Sequence, residues 1–251
     1  MTTPQTPDNW DNIKILPDKD NLVRFTAERI VRIASATLEV NDRFSIALAG
    51  GSTPEPVYRM LGDTFADTLD WSRIHIFFGD ERCVPPDHDE SNYKMVKATL
   101  LDHIAIPTEN IHRIKGEDDP QAAAEAYAKE LESFFADEEG MFDLNLLGMG
   151  GDAHTASLFP GTPAVHEKDA LMIAHHVEAK GNLWRISQTF PTILQSGNIM
   201  FLVSGEGKAE ALKHVIEGDY EPDTYPSQVI VHSDHQHIIW AIDQAAASQL
   251  S

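Results

Sequence analysis

The densest chemistry in this 251-residue chain lies between Phe142 and Gly161. An apolar run from Phe142 to Leu147 ends at Gly148, Gly150 and Gly151, three glycines within four positions. Asp152, Ala153 and His154 follow directly, at what reads as the mouth of the next helix. Open α/β sheets bind ligands beyond the carboxyl ends of their strands, and this layout puts an imidazole there. Histidine is the side chain best matched to proton transfer near neutral pH. A histidine near a helix start is more often structural than catalytic, so its company must decide.

Two other turns supply that company. Ala49-Gly50-Gly51-Ser52-Thr53-Pro54 ends a second apolar run. Its glycines permit close backbone approach, and the helix start behind them offers unpaired N–H groups and the positive end of a dipole. Ser52 and Thr53 add hydroxyls, so the turn has the physics of a phosphate cradle. It is neither a Walker loop nor a dinucleotide fingerprint, because no Gly-Lys-Ser/Thr closes it and a third glycine is missing. Taken alone it could equally be a tight structural turn. Gly79-Asp80-Glu81-Arg82 is the third, with charges at a strand end that face a crevice or a solvated loop. Three such turns along one sheet edge outweigh any one of them.

Alternating elements place these turns. Strands are expected at Ile13–Leu16, Phe44–Ala49, Ile74–Phe78, the run before Gly148, Leu171–Val177, Ile199–Ser204, Val229–His232 and His237–Ile242. Arg185–Thr189 reads as a short extended piece. Helices are expected from an Asp18 or Asp20 cap to about Leu38, from Pro54 to about Leu61, and from a Ser91 cap to about Leu101. Others follow over Gln121–Phe135, from Gly205 to about Ile216, and from about Asp243. Strands that are apolar throughout point to a mostly parallel sheet covered on both faces, an α/β fold. No repeat or Gly/Ser linker divides the chain, so 13–251 is expected to form one domain after a flexible 1–12.

Composition removes several function classes. Forty acids against nineteen Lys plus Arg give a formal charge of -21, which disfavours nucleic acid and anionic membranes as partners. An anionic ligand would then need a local cluster of cations and N–H groups. The only cysteine, Cys83, forms no intramolecular disulfide and no cysteine zinc site, and reads as inert packing. No signal-peptide core or apolar run of membrane length is present, so a cytoplasmic location is expected.

The motifs together resemble one family. Ala49-Gly50-Gly51-Ser52-Thr53-Pro54, Gly79-Asp80-Glu81-Arg82-Cys83-Val84-Pro85 with Ser91-Asn92-Tyr93, and Leu147-Gly148-Met149-Gly150-Gly151-Asp152 match in order and spacing. So do His154-Thr155-Ala156-Ser157-Leu158-Phe159-Pro160 and Gly205-Glu206-Gly207-Lys208-Ala209. On these residues the chain is similar to the 6-phosphogluconolactonases, relatives of the glucosamine-6-phosphate deaminases and isomerases. The resemblance runs from about residue 13 to residue 250.

It implies a Rossmann-like three-layer sandwich and hydrolysis of 6-phospho-D-glucono-1,5-lactone to 6-phosphogluconate, the second step of the oxidative pentose phosphate pathway. No cofactor and no metal are implied. His154 would be the general base, with Asp152 either orienting it or capping a helix, and Arg82 would stabilise charge on the carbonyl oxygen. Gly50, Gly51, Ser52 and Thr53 would bind the phosphate with Arg185 and Lys208, and Asp80 would line the substrate site. The expected partner is the phosphosugar lactone alone, bound by a monomer or weak homodimer.

The chain departs from the family at Ala153, where glycine is usual. If that position needs a positive φ, alanine strains it by roughly 1 kcal/mol or more. The Ile186-Ser187-Gln188-Thr189 stretch after Arg185 is also more polar than expected. The nearest rival activity is an amino-sugar-phosphate deaminase or isomerase, whose relatives carry a carboxylate soon after the histidine. Here no acid occurs between His154 and Glu167. A non-catalytic sugar-phosphate sensor would need a DNA-binding module, and no basic helix-turn-helix segment precedes Ile13. A serine hydrolase would need a Gly-x-Ser-x-Gly elbow, which is missing. His232-Ser233-Asp234-His235-Gln236-His237 has metal-ligand residue types, but reads as a turn in which they do not converge.

Overall fold

A computed structural model describes residues 12–178 and 183–251. The N-terminal segment expected to be flexible lies, up to residue 11, outside the described residues. Seven strands form a wholly parallel sheet: β1 (Ile13–Leu16), β2 (Phe44–Leu48), β3 (Ile74–Phe78), β5 (Ile111–His112), β6 (Leu144–Gly148), β9 (Ile199–Val203) and β10 (Ile238–Asp243). Their order is β1-β10-β9-β6-β2-β3-β5. From β2 the chain winds outward through β3 to β5, then returns to β6 and winds the other way through β9 and β10. β2 and β6 therefore flank the switch point, where a parallel sheet opens its ligand crevice. The glycine turns of the phosphate cradle and of His154 leave these two strands.

A second, antiparallel sheet of β4 (Asp80–Arg82), β8 (Leu183–Gln188) and β7 (Met172–Val177) stands beside that crevice. Sequence pattern showed β7 and β8 as extended pieces but neither their antiparallel pairing nor β4. A three-residue charged strand carries no apolar signal, and it forms because β8 offers it a partner.

Side-chain alternation divides the core between the sheet's two faces. In β9, Met200 and Leu202 join one cluster while Ile199, Phe201 and Val203 join the other. Among the described residues, seven α-helices cover the faces: α1 (Lys19–Val40), α2 (Glu55–Thr64), α3 (Asn92–Thr99), α4 (Pro120–Phe134), α5 (Phe190–Leu194), α6 (Ala209–Glu217) and α7 (Gln228–Val231). Side-chain caps set the starts of α1 and α3 as the sequence suggests. The Asp18 carboxylate accepts from the Asn21 amide, and the Ser91 hydroxyl from the Lys94 amide.

Three local expectations are corrected. Val229–His232 is helical, as α7 and its exit, rather than a strand. Its β-branched residues suggested extension, but Tyr225-Pro226-Ser227 starts a turn whose carbonyls accept the Gln228, Val229 and Ile230 amides. The helix expected from Asp243 is a series of turns over 244–249. Asp243 closes β10 instead, and its buried carboxylate accepts from the Ser204 hydroxyl and from the Gly205 and Ala246 amides. No helix begins at His154 either: Ala153 (φ 59) and Ala156 (φ 47) are left-handed, and Thr155 bridges to Leu158. No described helix is long and apolar enough to cross a membrane.

Candidate active site

The three turns meet in a cleft of about 370 Å³ at the carboxyl ends of β2, β3 and β6. Gly50, Gly51, Ser52, Thr53, Asp80, Arg82, His154, Arg185 and Lys208 all line it. Asp152 stands behind His154 instead of in the wall.

The cradle is built by backbone geometry. Gly51 sits at φ +100, a region side chains avoid, and the turn then enters α2 through Pro54. Pro54 gives no side-chain cap; the Glu55 amide donates instead to the Gly51 carbonyl at 3.4 Å and the Val57 amide to the Pro54 carbonyl at 2.9 Å, so the cleft is offered the turn Gly50–Pro54 itself rather than the helix's own amides. Gly50 has a different reason: a Cβ there would fall 1.9 Å from Asn92 Oδ1. Asn92 in turn donates its amide to the Asp80 carbonyl at 2.9 Å, stitching the cradle to β4. Sequence reasoning matched Asn92 as a motif residue but gave it no task.

β4 places two residues oppositely. Glu81 is buried, and its carboxylate accepts from the Arg82, Asn92 and Tyr93 amides and the Ser91 hydroxyl. It holds the start of α3 rather than facing the cleft. Burial raises its pKa, and the hydrogen bonds from these amides oppose that rise. Arg82 lies directly across from Arg185 on β8, both residues line the cleft, and the Arg82 guanidinium donates to the Glu90 carbonyl. Arg185 is almost fully buried, which with the nearby Arg82 charge lowers its pKa. Asp80 answers this positive pair, its carboxylate accepting from the Ser157 hydroxyl at 2.7 Å.

The polar stretch after Arg185 is absorbed locally. Ser187 accepts the Ser157 amide, and Gln188 and Asn145 exchange side-chain amide bonds at 2.8 and 3.1 Å in the core. Thr189 donates to the Ala170 carbonyl. Each buried polar group thus gains a partner, as burial requires. Cys83 behaves as inert packing, with burial and Glu81 pushing its pKa up to about 11.

His154 Nδ1 is in hydrogen-bond contact with Asp152 Oδ1, and the ring packs against Phe159 with centroids 4.2 Å apart. An ionised carboxylate only accepts, so this contact places the proton on Nδ1 and leaves Nε2 as the basic nitrogen. Gly150 makes the pair possible, because a Cβ there would lie 2.0 Å from His154 Nδ1 and 2.2 Å from Asp152 Oδ1. No helix starts at Asp152 for it to cap, and its carboxylate meets the ring instead. Lys208 ends a short 3₁₀ turn (Glu206–Lys208) after Gly205, whose φ of +96 makes the sharp exit from β9. Asp243 fixes that exit from below through the Gly205 amide.

His235 Nε2 meets the Ser196 carbonyl at 2.7 Å, and no group of three metal-ligating side chains converges among the described residues. His175 is buried with its Nε2 against the Ser157 carbonyl, so burial lowers its pKa.

The model of the family described as glucosamine-6-phosphate isomerases/6-phosphogluconolactonase matches residues 17–240. A 6-phosphogluconolactonase from Nostoc sp. is 39% identical over 243 residues, covering 95% of this chain and 98% of that one. The solved structure of 6-phosphogluconolactonase from Trypanosoma brucei superposes with a TM-score of 0.85 at 28% identity, covering 96% of this chain and 98% of that one. A monomeric glucosamine-6-phosphate deaminase shares the fold with a TM-score of 0.81 at 23% identity, over 95% of this chain and 99% of that one.

Proposed function

This chain belongs to the glucosamine-6-phosphate isomerase/6-phosphogluconolactonase family, and from that premise we propose how its cleft hydrolyses 6-phospho-D-glucono-1,5-lactone. The product is 6-phosphogluconate, as in the oxidative pentose phosphate pathway. The carrying observation is His154, in contact with Asp152 behind it, in one wall of a cleft that also holds Arg82, Arg185, Lys208 and the cradle.

A lactone carbonyl is already electrophilic, so a positioned water and a base suffice. His154 Nε2 takes a proton from that water as its oxygen bonds to the lactone carbon. Arg82 faces the negative charge that develops on the carbonyl oxygen. When the tetrahedral intermediate collapses, the bond to the ring oxygen breaks, and the imidazolium returns its proton to that oxygen. Asp152 stabilises the imidazolium and keeps Nε2 turned to the cleft. Acid–base assistance of this kind supplies about 10²–10⁴-fold.

The phosphate sits on the Gly50–Thr53 turn, with Arg185 offering a planar fork and Lys208 a compact charge. These cations offset the negative field of the whole molecule where it matters. Asp80, an acceptor, suits sugar hydroxyls rather than phosphate. The test is hydrolysis of the phosphorylated δ-lactone against unphosphorylated gluconolactone, with spontaneous ring opening subtracted. A much larger kcat/KM for the phosphorylated substrate is expected; equal values would remove the phosphate assignment.

A further inference from the structure

We propose that Ser227 is a positioning residue for His154, acting through the carbonyl of Ala153. The inference rests on the reading of His154 as the base. Ser227 is fully buried and is not among the residues lining the cleft, so it does not touch substrate. Its hydroxyl donates to the Ala153 carbonyl at 2.7 Å and its amide donates to the same oxygen at 3.1 Å.

That oxygen belongs to the peptide joining Ala153 to His154. In a trans peptide the C=O and N–H point in opposite directions. Anchoring the oxygen on Ser227 therefore turns the His154 N–H the other way, where Asp152 Oδ1 lies 3.4 Å from it. The same Oδ1 meets His154 Nδ1. One peptide plane thus sets where the carboxylate and the ring find each other. The anchor matters here because Ala153 holds a left-handed φ of 59, which an L side chain resists. Its amide is pinned as well, donating to the Gly150 carbonyl at 3.0 Å.

The anchor is itself braced. Gln228, also fully buried, donates to the His214 and Asp219 carbonyls at 2.8 Å each and accepts the Glu221 amide at 2.7 Å. The Asp223 carbonyl accepts the Gly161 amide at 2.9 Å. Residues 219–228 therefore grip both ends of the histidine loop, at Ala153 and at Gly161. Ser227 lies 74 positions after Ala153 and carries no motif that marks the link.

The test compares Ser227→Ala with Ser45→Ala, an equally buried serine whose hydroxyl serves Asp143 away from the cleft. Kinetics and ¹⁵N imidazole shifts of His154 are measured on both. In Ser227→Ala, kcat should fall about tenfold with KM within about twofold, since the phosphate contacts are untouched. The His154 signal should move from one Nδ1–H tautomer to a mixture. Ser45→Ala should change neither. Ser227→Cys, of similar size with a weaker donor, should fall between wild type and Ser227→Ala, and it takes over the test if Ser227→Ala does not fold. Wild-type kcat and an unshifted tautomer in the folded Ser227 variant would overturn the proposal, as would an equal loss in Ser45→Ala. The spectrum does not depend on turnover. If His154→Ala kept full activity, the base assignment would fall while the Ser227 spectrum still reported on positioning.

Discussion

Two histidine–carboxylate pairs in this molecule look alike and differ in what the second ring nitrogen meets. His112 on β5 sets Nδ1 2.7 Å from Glu130, much as His154 sets Nδ1 against Asp152. At His112 the other nitrogen is taken, because Nε2 lies 3.1 Å from His75 Nδ1. The ring also stacks on Phe77, with centroids 4.1 Å apart and planes 5° from parallel. That pair closes on itself at the outer edge of the sheet. The His154 pair stands at the switch point, with the ring in the cleft wall and no described residue bonded to Nε2. A carboxylate beside an imidazole is thus only half of a general base. The other half is a basic nitrogen that water and substrate can reach.

Disabling one carboxylate at a time breaks the comparison most sharply. Asp152→Asn should lower kcat by about 10²-fold, because an amide no longer forces the proton onto Nδ1. Glu130→Gln should leave kcat and KM unchanged in the same assay. A large kinetic loss in both would show that the pairs are not functionally distinct. Lys208→Ala should chiefly raise KM, about tenfold, since a charge-assisted phosphate contact is worth roughly 1.5–3 kcal/mol. An unchanged KM would remove Lys208 from the phosphate site.

Smaller effects sharpen the contrast in stability. Ala153→Gly should stabilise the fold by about 0.5–1 kcal/mol in denaturant titration, relief of the left-handed strain exceeding glycine's extra unfolded entropy. A loss of stability would mean that the positive φ costs nothing. His75 titrates the other pair. Burial, with the neighbouring His112 and Arg43 charges, lowers its pKa from 6.5 to about 4. Between those values the unfolded chain binds more protons, so this contribution is full above pH 6.5 and is lost as pH falls toward 4. Discounted for partial exposure, it amounts to about 1 kcal/mol. His75→Phe should flatten this part of the acid limb, read as the wild-type minus variant difference. An unchanged slope would dissociate His75 from acid lability.

Most of the parallel sheet was legible because β2, β3, β6 and β9 are apolar runs with glycine turns beyond them; β5, two residues with no apolar run, was not expected. His154, Arg82 and the cradle were legible because each sits on such a turn. What pattern could not show was pairing at a distance. Asp80–Arg82 is a strand only because β8 lies beside it. Val229 to His232 carries β-branched residues that the Pro226–Ser227 turn overrides. The fit of Ala153 could be posed from sequence but not resolved, because its strain is held by Ser227 and Gly150, one of them far along the chain. Asn92 and Ser157 were part of quoted motifs, yet their tasks emerge only where Asp80 meets them.

The most direct measurement is the lactonase rate of His154→Ala and His112→Ala side by side, each corrected for spontaneous hydrolysis. His154→Ala should lose about 10²–10⁴-fold in kcat/KM while His112→Ala keeps the wild-type value. Wild-type activity in His154→Ala would contradict the account at its centre.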